Sequence, residues 1–233
     1  MNFEKISTLS VREAFVREIE NKILSGELKP GDKLPPAREL CKIMGVSLTV
    51  VNAGVSELAS KGFVEVKPRH GTYVADYTAN GNTETFFAII RYNGGKINPH
   101  EFRSFTESRV ALDPLIAELV IKRASDEEIA ELGEILNAVK GAEDVRDACR
   151  LITDFYHKMY IISQNSFCAL LYNSTVMPQR GMYEMFIAKN GVQVVIDNMQ
   201  AELDCLIARD IEGARRHAAA GQMSAIEGPY SVI

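Results

Sequence analysis

Apolar positions recur at a helical period along nearly the whole chain, and a strand-like rhythm surfaces in only one place. Val11, Phe15, Ile19 and Ile23 return every fourth position with Leu24 beside them, which predicts a helix with one apolar stripe. Ser10 caps it, and Glu13 three residues on completes a capping box. Ser25 and Gly26 end it, and Leu28-Lys29-Pro30-Gly31-Asp32 reads as a turn. Pro35 and Pro36 then open a short helix over 38–44, since the N–H that proline lacks would be unpaired there anyway. Gly45 breaks this helix, Ser47 is a good N-cap for another over 48–61, and Gly62 stops it. Within it Val51, Val55 and Leu58 share a core face, while Leu48, Thr49 and Asn52 project elsewhere. The two strand-like runs follow, 63–66 and 72–75, joined by Lys67-Pro68-Arg69-His70-Gly71.

Helix, glycine-containing turn and helix, followed by a hairpin, is a winged helix-turn-helix, whose second helix is shaped for a DNA major groove. The hairpin turn, with two fixed cations and a glycine, suits contact with the sugar–phosphate backbone. After it, 77–97 reads as a connection: TANGNTET and YNGGKINP are turn-rich, and 83–91 between them predicts a short helix with Phe86, Phe87, Ile89 and Ile90 to bury. That is too apolar for a free tether, and predicts packing against one or both neighbours.

From Asn98-Pro99, a cap and an N1 proline, everything is helical in pattern. The helix running to about residue 124 contains Pro114 and is expected to kink or split near Leu112 and Asp113. Ser125 with Glu128 opens a helix carrying Ile129, Leu132 and Leu136. Further helices are predicted over 147–163 (core stripe Leu151, Phe155, Met159, Ile162), 166–176 (stopped by Met177-Pro178), 181–188, 192–208 and 211–225. The expected fold is therefore mainly α: three helices and a small β-hairpin over 1–76, a connection over 77–97, and an all-α antiparallel bundle over 98–233.

Composition refines this picture. At 233 residues and 46% hydrophobic, the chain can bury a real core. No apolar run approaches the ~20 residues that span a bilayer, and the start lacks the apolar core of a signal peptide, so a cytoplasmic protein without membrane attachment is expected. Four cysteines at 41, 149, 168 and 205 form no CxxC pair and read as reduced thiols. The net charge of −5 is uneven: residues 1–76 hold 11 Lys/Arg against 10 Asp/Glu, and the remainder 15 against 21. DNA contact would then rely on a few placed groups and on dimerisation rather than on a broad basic face. No GxSxG, GxGxxG after a strand, Walker loop or HExxH supports an enzyme.

The segment from Val11 to Asp76 resembles the DNA-binding domain of the GntR family of bacterial transcription regulators. The likeness rests on SGELKPGDKLP, the PPAREL helix start, GVS before the second helix, and GFVEV with HGTYV in the wing. It implies that Arg38 contacts DNA at the head of the second helix, that Ser47, Leu48, Thr49 and Asn52 face the groove, and that Lys67, Arg69, His70 and Gly71 form the wing contact. The family usually carries Arg where Leu48 and Asn52 stand and Ala where Gly54 stands. Leu can meet only a thymine methyl and Asn prefers adenine, so the operator is expected to differ from the common family one. Gly54 should cost its helix roughly 1 kcal/mol relative to Ala. The bland alternative is that Leu48 and Asn52 are merely exposed.

The remainder, through FTESRVALDPLIAELVIKRAS, DFYHKMYIISQN and IARDIEGARRHAAA, resembles the FCD effector-binding domain of the FadR-type subgroup of that family. Many members bind a divalent metal through one Asp and three His, and the metal helps hold a carboxylate effector. Here His157 matches the first His, but Thr153 stands at the Asp position, Met199 near the second His and Gly221 or Gln222 near the third. His217 falls one turn short. Hydroxyl, thioether and amide do not replace carboxylate and imidazole, so no metal or other cofactor is expected. Asp154 and His157, three residues apart, are what a partial site would use. Arg109 matches the subgroup's anion-binding Arg and reads equally as an ion-pair partner of Glu107, Asp113 or an acid elsewhere. Thr153, Tyr156, His157, Met199 and Gln222 complete the expected effector site.

These readings predict a homodimeric operator-binding regulator, a repressor whose small-molecule effector, an organic acid or acyl compound, spoils the half-site distance of a two-fold operator. The alternative from another class is a small-molecule-binding or catalytic bundle, with the winged helix serving dimerisation or protein docking.

Overall fold

The structure, a computed structural model, describes residues 9–94 and 96–233; most of the extreme N-terminus read above for a leader lies outside them. It divides into two compact units, 1–95 and 96–233.

The first unit begins with α1 (Val11–Leu24), with the Ser10–Glu13 capping box in place. α2 (Ala37–Met44) and α3 (Leu48–Ser60) meet at 111°, within the range of a helix-turn-helix. The Ser47 hydroxyl caps α3 by accepting from the Val50 N–H. β1 (Val64–Lys67) and β2 (Gly71–Val74) form an antiparallel hairpin with Val64 opposite Val74 and Lys67 opposite Gly71. The stretch read as a turn also serves as an edge: the Gly31 and Leu34 amides donate to Val74 and Thr72 carbonyls, and the Val74 amide donates to Asp32. Local turn residues gave no hint of this pairing, which is fixed only when β2 arrives. Phe15, Ile19, Val51, Leu58, Phe63 and Val74 close one core.

Gly54 has a tertiary reason. A Cβ there would stand 2.3 Å from the Phe15 ring, so α1 and α3 approach too closely for Ala.

The connecting residues form α4 (Tyr77–Asn80), capped by Asp76, and α5 (Thr83–Tyr92). Both belong to the first unit, where α5 packs on α1. Glu20, only 2% exposed on α1, accepts from Lys61 at 3.0 Å and from Arg91 of α5 at 2.6 Å. α5 buries Thr85 and Ala88 fully, and its large apolar residues only in part.

The second unit is all helix among its described residues: α6 (Pro99–Arg123), α7 (Asp126–Lys140), α8 (Val145–Ile162), α9 (Ser166–Asn173), α10 (Val176–Asn190), α11 (Val192–Ile207) and α12 (Ile211–Met223). α12 packs along α6, α11 against α7 and α12, and α8 against α7, α9 and α10. Two proline expectations are corrected. Pro114 does not divide α6, because buried side chains from Phe102 to Ile121 hold both halves against the bundle and outweigh one missing ladder bond. Pro178 does not stop a helix; it sits in the first turn of α10, where its missing N–H has no intrahelical partner to lose.

Candidate functional site

Two places concentrate chemistry: the exposed α2–α3–wing surface of the first unit and a half-open cavity in the second.

On the first unit Arg38, Ser47, Leu48, Thr49, Asn52, Lys67, Arg69, His70 and Gly71 are all exposed. Arg38 and Arg69 have no ion-pair partner among the described residues. The wing turn is tight: the His70 amide donates to Lys67 O, and Arg69 takes the left-handed φ of 65°. Gly71 has φ 116°, and a Cβ there would meet Lys33 Cε at 2.8 Å. Lys33 is the residue the sequence reading missed. It lies 5.7 Å over the Tyr73 ring, with Lys67 at 5.2 Å, so three cations (Lys33, Lys67, Arg69) gather at the wing. Nothing in its local sequence marks Lys33, which joins the wing through its bridge to Tyr73.

In the second unit a cavity of about 410 Å³ is lined by α6, α8 and α10–α12. Of the expected effector residues, Arg109, Tyr156 and Gln222 line it. Thr153, His157 and Met199 do not. Thr153 turns its hydroxyl to the Cys149 and Arg150 carbonyls and accepts from Arg180; the His157 ring stacks on Tyr172 at 5.9 Å; Met199 is wholly buried in the core. Asp154 is ion-paired to Arg150 at 3.1 Å. Among the described residues no three His, Cys, Asp or Glu side chains gather to hold a metal ion. The donor set at the four positions does not fit the metal that the FCD resemblance implies.

The cavity's polar wall is a charge network. Arg109 donates to the Tyr183 hydroxyl at 2.9 Å and its Nη2 lies 2.9 Å from Asp113 Oδ2, one helical turn away. Burial opposes the guanidinium's charge, but Asp113 outweighs it and holds Arg109 protonated more firmly than in water. Tyr160 donates to the other Asp113 oxygen at 2.7 Å. Arg109 also lies 4.9 Å from the Tyr156 ring centre and 5.7 Å from that of Tyr183. Behind Tyr156 stands Glu202, 1% exposed, accepting from the Tyr156 hydroxyl at 3.5 Å. Burial first, and the Asp113 charge second, push the Glu202 carboxyl up to about 8. Arg109 Nε and Nη2, Asp113 Oδ2 and Glu202 Oε1 make no hydrogen bond, so Arg109 and Asp113 meet as an ion pair only. The Arg109–Asp113 spacing was legible as i, i+4; Tyr183 and Glu202 arrive from 74 and 93 residues beyond Arg109, and no local signal announced them.

The family model described as "Bacterial regulatory proteins, gntR family" matches residues 11–74, and that of the FCD domain matches residues 104–220. The transcriptional regulator Mce2R of Mycobacterium tuberculosis is 29% identical over 189 residues, 81% of this chain and 76% of that protein. The Uxu operon transcriptional regulator of Escherichia coli is 31% identical over 123 residues, 53% of this chain and 44% of that one. Among solved structures, Lar of Listeria monocytogenes aligns with a TM-score of 0.57 at 15% identity, covering 94% of this chain and 95% of its own, a likeness of fold.

Proposed function

Because the chain belongs to the GntR family of bacterial regulatory proteins, with an FCD domain behind its winged helix, we propose a residue-level account of how it meets DNA and effector. It is a DNA-binding transcription regulator controlled by a small molecule. α3 lies in the major groove with Leu48, Thr49 and Asn52 toward the bases, and Arg38 stands at the groove edge. Lys67, Arg69, His70 and Gly71, joined by Lys33, hold the phosphates. Two copies act together on a two-fold operator in the cytoplasm, without catalysis. Ligand in the α6–α12 cavity releases the operator, which makes the protein a repressor.

The observation that carries this reading is that Arg38 on α2 and Arg69 in the wing turn are exposed and without an ion-pair partner among the described residues, as Leu48, Thr49 and Asn52 of α3 are exposed. Near-neutral proteins meet DNA through such free cations, since each releases counterions condensed on the phosphates it neutralises, whereas a paired cation must first give up its partner. The test is an anisotropy titration against a two-fold operator recovered by selection from random duplexes, at two salt concentrations. Salt-dependent specific binding is expected, weakened by R38A and R69A with ligand binding retained. Binding that ignores both changes would favour the docking-module alternative.

A further inference from the structure

The effector reading leaves the ligand's charge open between an organic acid and an acyl compound, and the cavity wall bears on that choice. Its one guanidinium, Arg109, is already matched by Asp113 at 2.9 Å and by the Tyr183 hydroxyl. Asp113 is in turn held by Tyr160, so it cannot swing away without leaving a buried phenol unpaired. A second carboxyl, Glu202, stands behind Tyr156 with one oxygen unpartnered, and Asp197 lies on the cavity wall. Much of the rest is apolar: Phe102, Met182, Phe186, Val195 and Ala201. Arg109 Nε remains a buried donor without an acceptor, and Nη2 has only the charge of Asp113 and no hydrogen bond to it.

We propose that this cavity takes an uncharged amphipathic molecule, an apolar body bearing an amide, ester, ketone or alcohol oxygen, and that Asp113, ion-paired to Arg109, is the residue that excludes carboxylates. The inference rests on the cavity being the effector site. A neutral oxygen supplies the acceptor Arg109 Nε lacks, without disturbing the Arg109–Asp113 balance. A carboxylate adds an unmatched negative charge beside Asp113, in surroundings that already drive the Glu202 carboxyl to keep its proton. The Asp113 charge acts on a ligand's carboxyl in the same sense, so an acid enters in its protonated form. An ammonium meets Arg109 and is disfavoured as well.

The titratable groups that the helices set on the lining are Arg109 from α6, Tyr156 from α8, Tyr183 from α10, Asp197 from α11 and His217 from α12, with Asp113 behind Arg109 and Glu202 behind Tyr156. The experiment uses the full chain with octanamide, octanoate and octylamine, followed by saturation-transfer NMR between pH 5.5 and 7.5. Octanamide is expected to bind with little pH dependence. Octanoate should bind at least about tenfold more weakly at pH 7.5, its affinity falling about tenfold per pH unit as the free acid disappears. H217Q should keep that slope, which separates it from protonation of the imidazole. D113N frees the Arg109 charge and should cut the amide-over-carboxylate preference about tenfold. The wild-type slope needs no variant, so the proposal is tested even if D113N does not fold. Octanoate binding as tightly as octanamide at pH 7.5, without a slope, overturns the proposal and leaves the effector reading standing. If none of the three binds, or if filling the cavity with A201F changes nothing, the effector reading itself falls and the proposal with it.

Discussion

The two units handle charge in opposite ways. In the first, Arg38 and Arg69 are exposed and have no ion-pair partner among the described residues; in the second, Arg109 is 6% exposed and held by Asp113 and Tyr183. A free surface cation costs the fold nothing and is available to a polyanion. A buried one must be matched inside the protein, and once matched it no longer attracts an anion strongly. The same residue type therefore reads as recognition in one unit and as architecture with selectivity in the other.

Removing a partner should expose that difference most sharply. D113A leaves Arg109 buried and uncompensated, and is expected to destabilise the second unit by about 3–5 kcal/mol in urea unfolding. An effect under roughly 0.5 kcal/mol, the size of an ordinary surface change, would erase the contrast.

Glu202 gives the next largest effect. Its carboxyl sits near 8 when folded against an ordinary 4.5, so the folded chain keeps a proton that the unfolded chain releases. Its contribution to stability is therefore greatest at low pH, falls by about 1.4 kcal/mol per unit as pH rises between those values, and is flat above. The difference between wild type and E202Q in denaturant midpoint, taken at pH 5.5 and 8, isolates this term. Equal midpoint shifts at both pH values would contradict it.

On the first unit the expected losses appear in binding. R38A should weaken operator affinity by about 1–3 kcal/mol, and R69A should lower the salt dependence by about one counterion, both with thermal midpoints nearly unchanged. A lowered midpoint would mean that these arginines serve the fold after all.

The smallest effect is at Gly54. G54A gains about 1 kcal/mol of helix propensity, yet its Cβ must displace the Phe15 ring, an overpacking worth about 1–3 kcal/mol, so a modest net destabilisation is expected. F15L should rescue it, and stabilisation by G54A alone would show that α1 can give way.

Much of this protein was readable from local pattern. Capping boxes at Ser10 and Ser125, the break at Gly45, the wing turn and the period-four stripes placed most of the helices and both strands, because such signals act over a few residues. The exposure of Leu48, Thr49 and Asn52 followed, since an exposed residue on a short helix is defined by which neighbours face inward. The FCD resemblance brought out Arg109, Tyr156 and Gln222 at the cavity, but Thr153, His157 and Met199 were placed by correspondence with ligands this chain does not carry.

What only the tertiary structure decided are the meetings between distant elements. Pro114 stays inside α6 because packing along the helix outweighs a local defect. Gly54 is required by Phe15, 39 residues earlier, and Lys33 reaches the wing through β2. The surroundings of Arg109 are the clearest case: the residue alone suggests an anion site, and folding sets Asp113 and Tyr183 against it and Glu202 behind Tyr156. Secondary structure answers to nearest neighbours, whereas the electrostatics of a buried site answer to every group that burial places within a few ångströms.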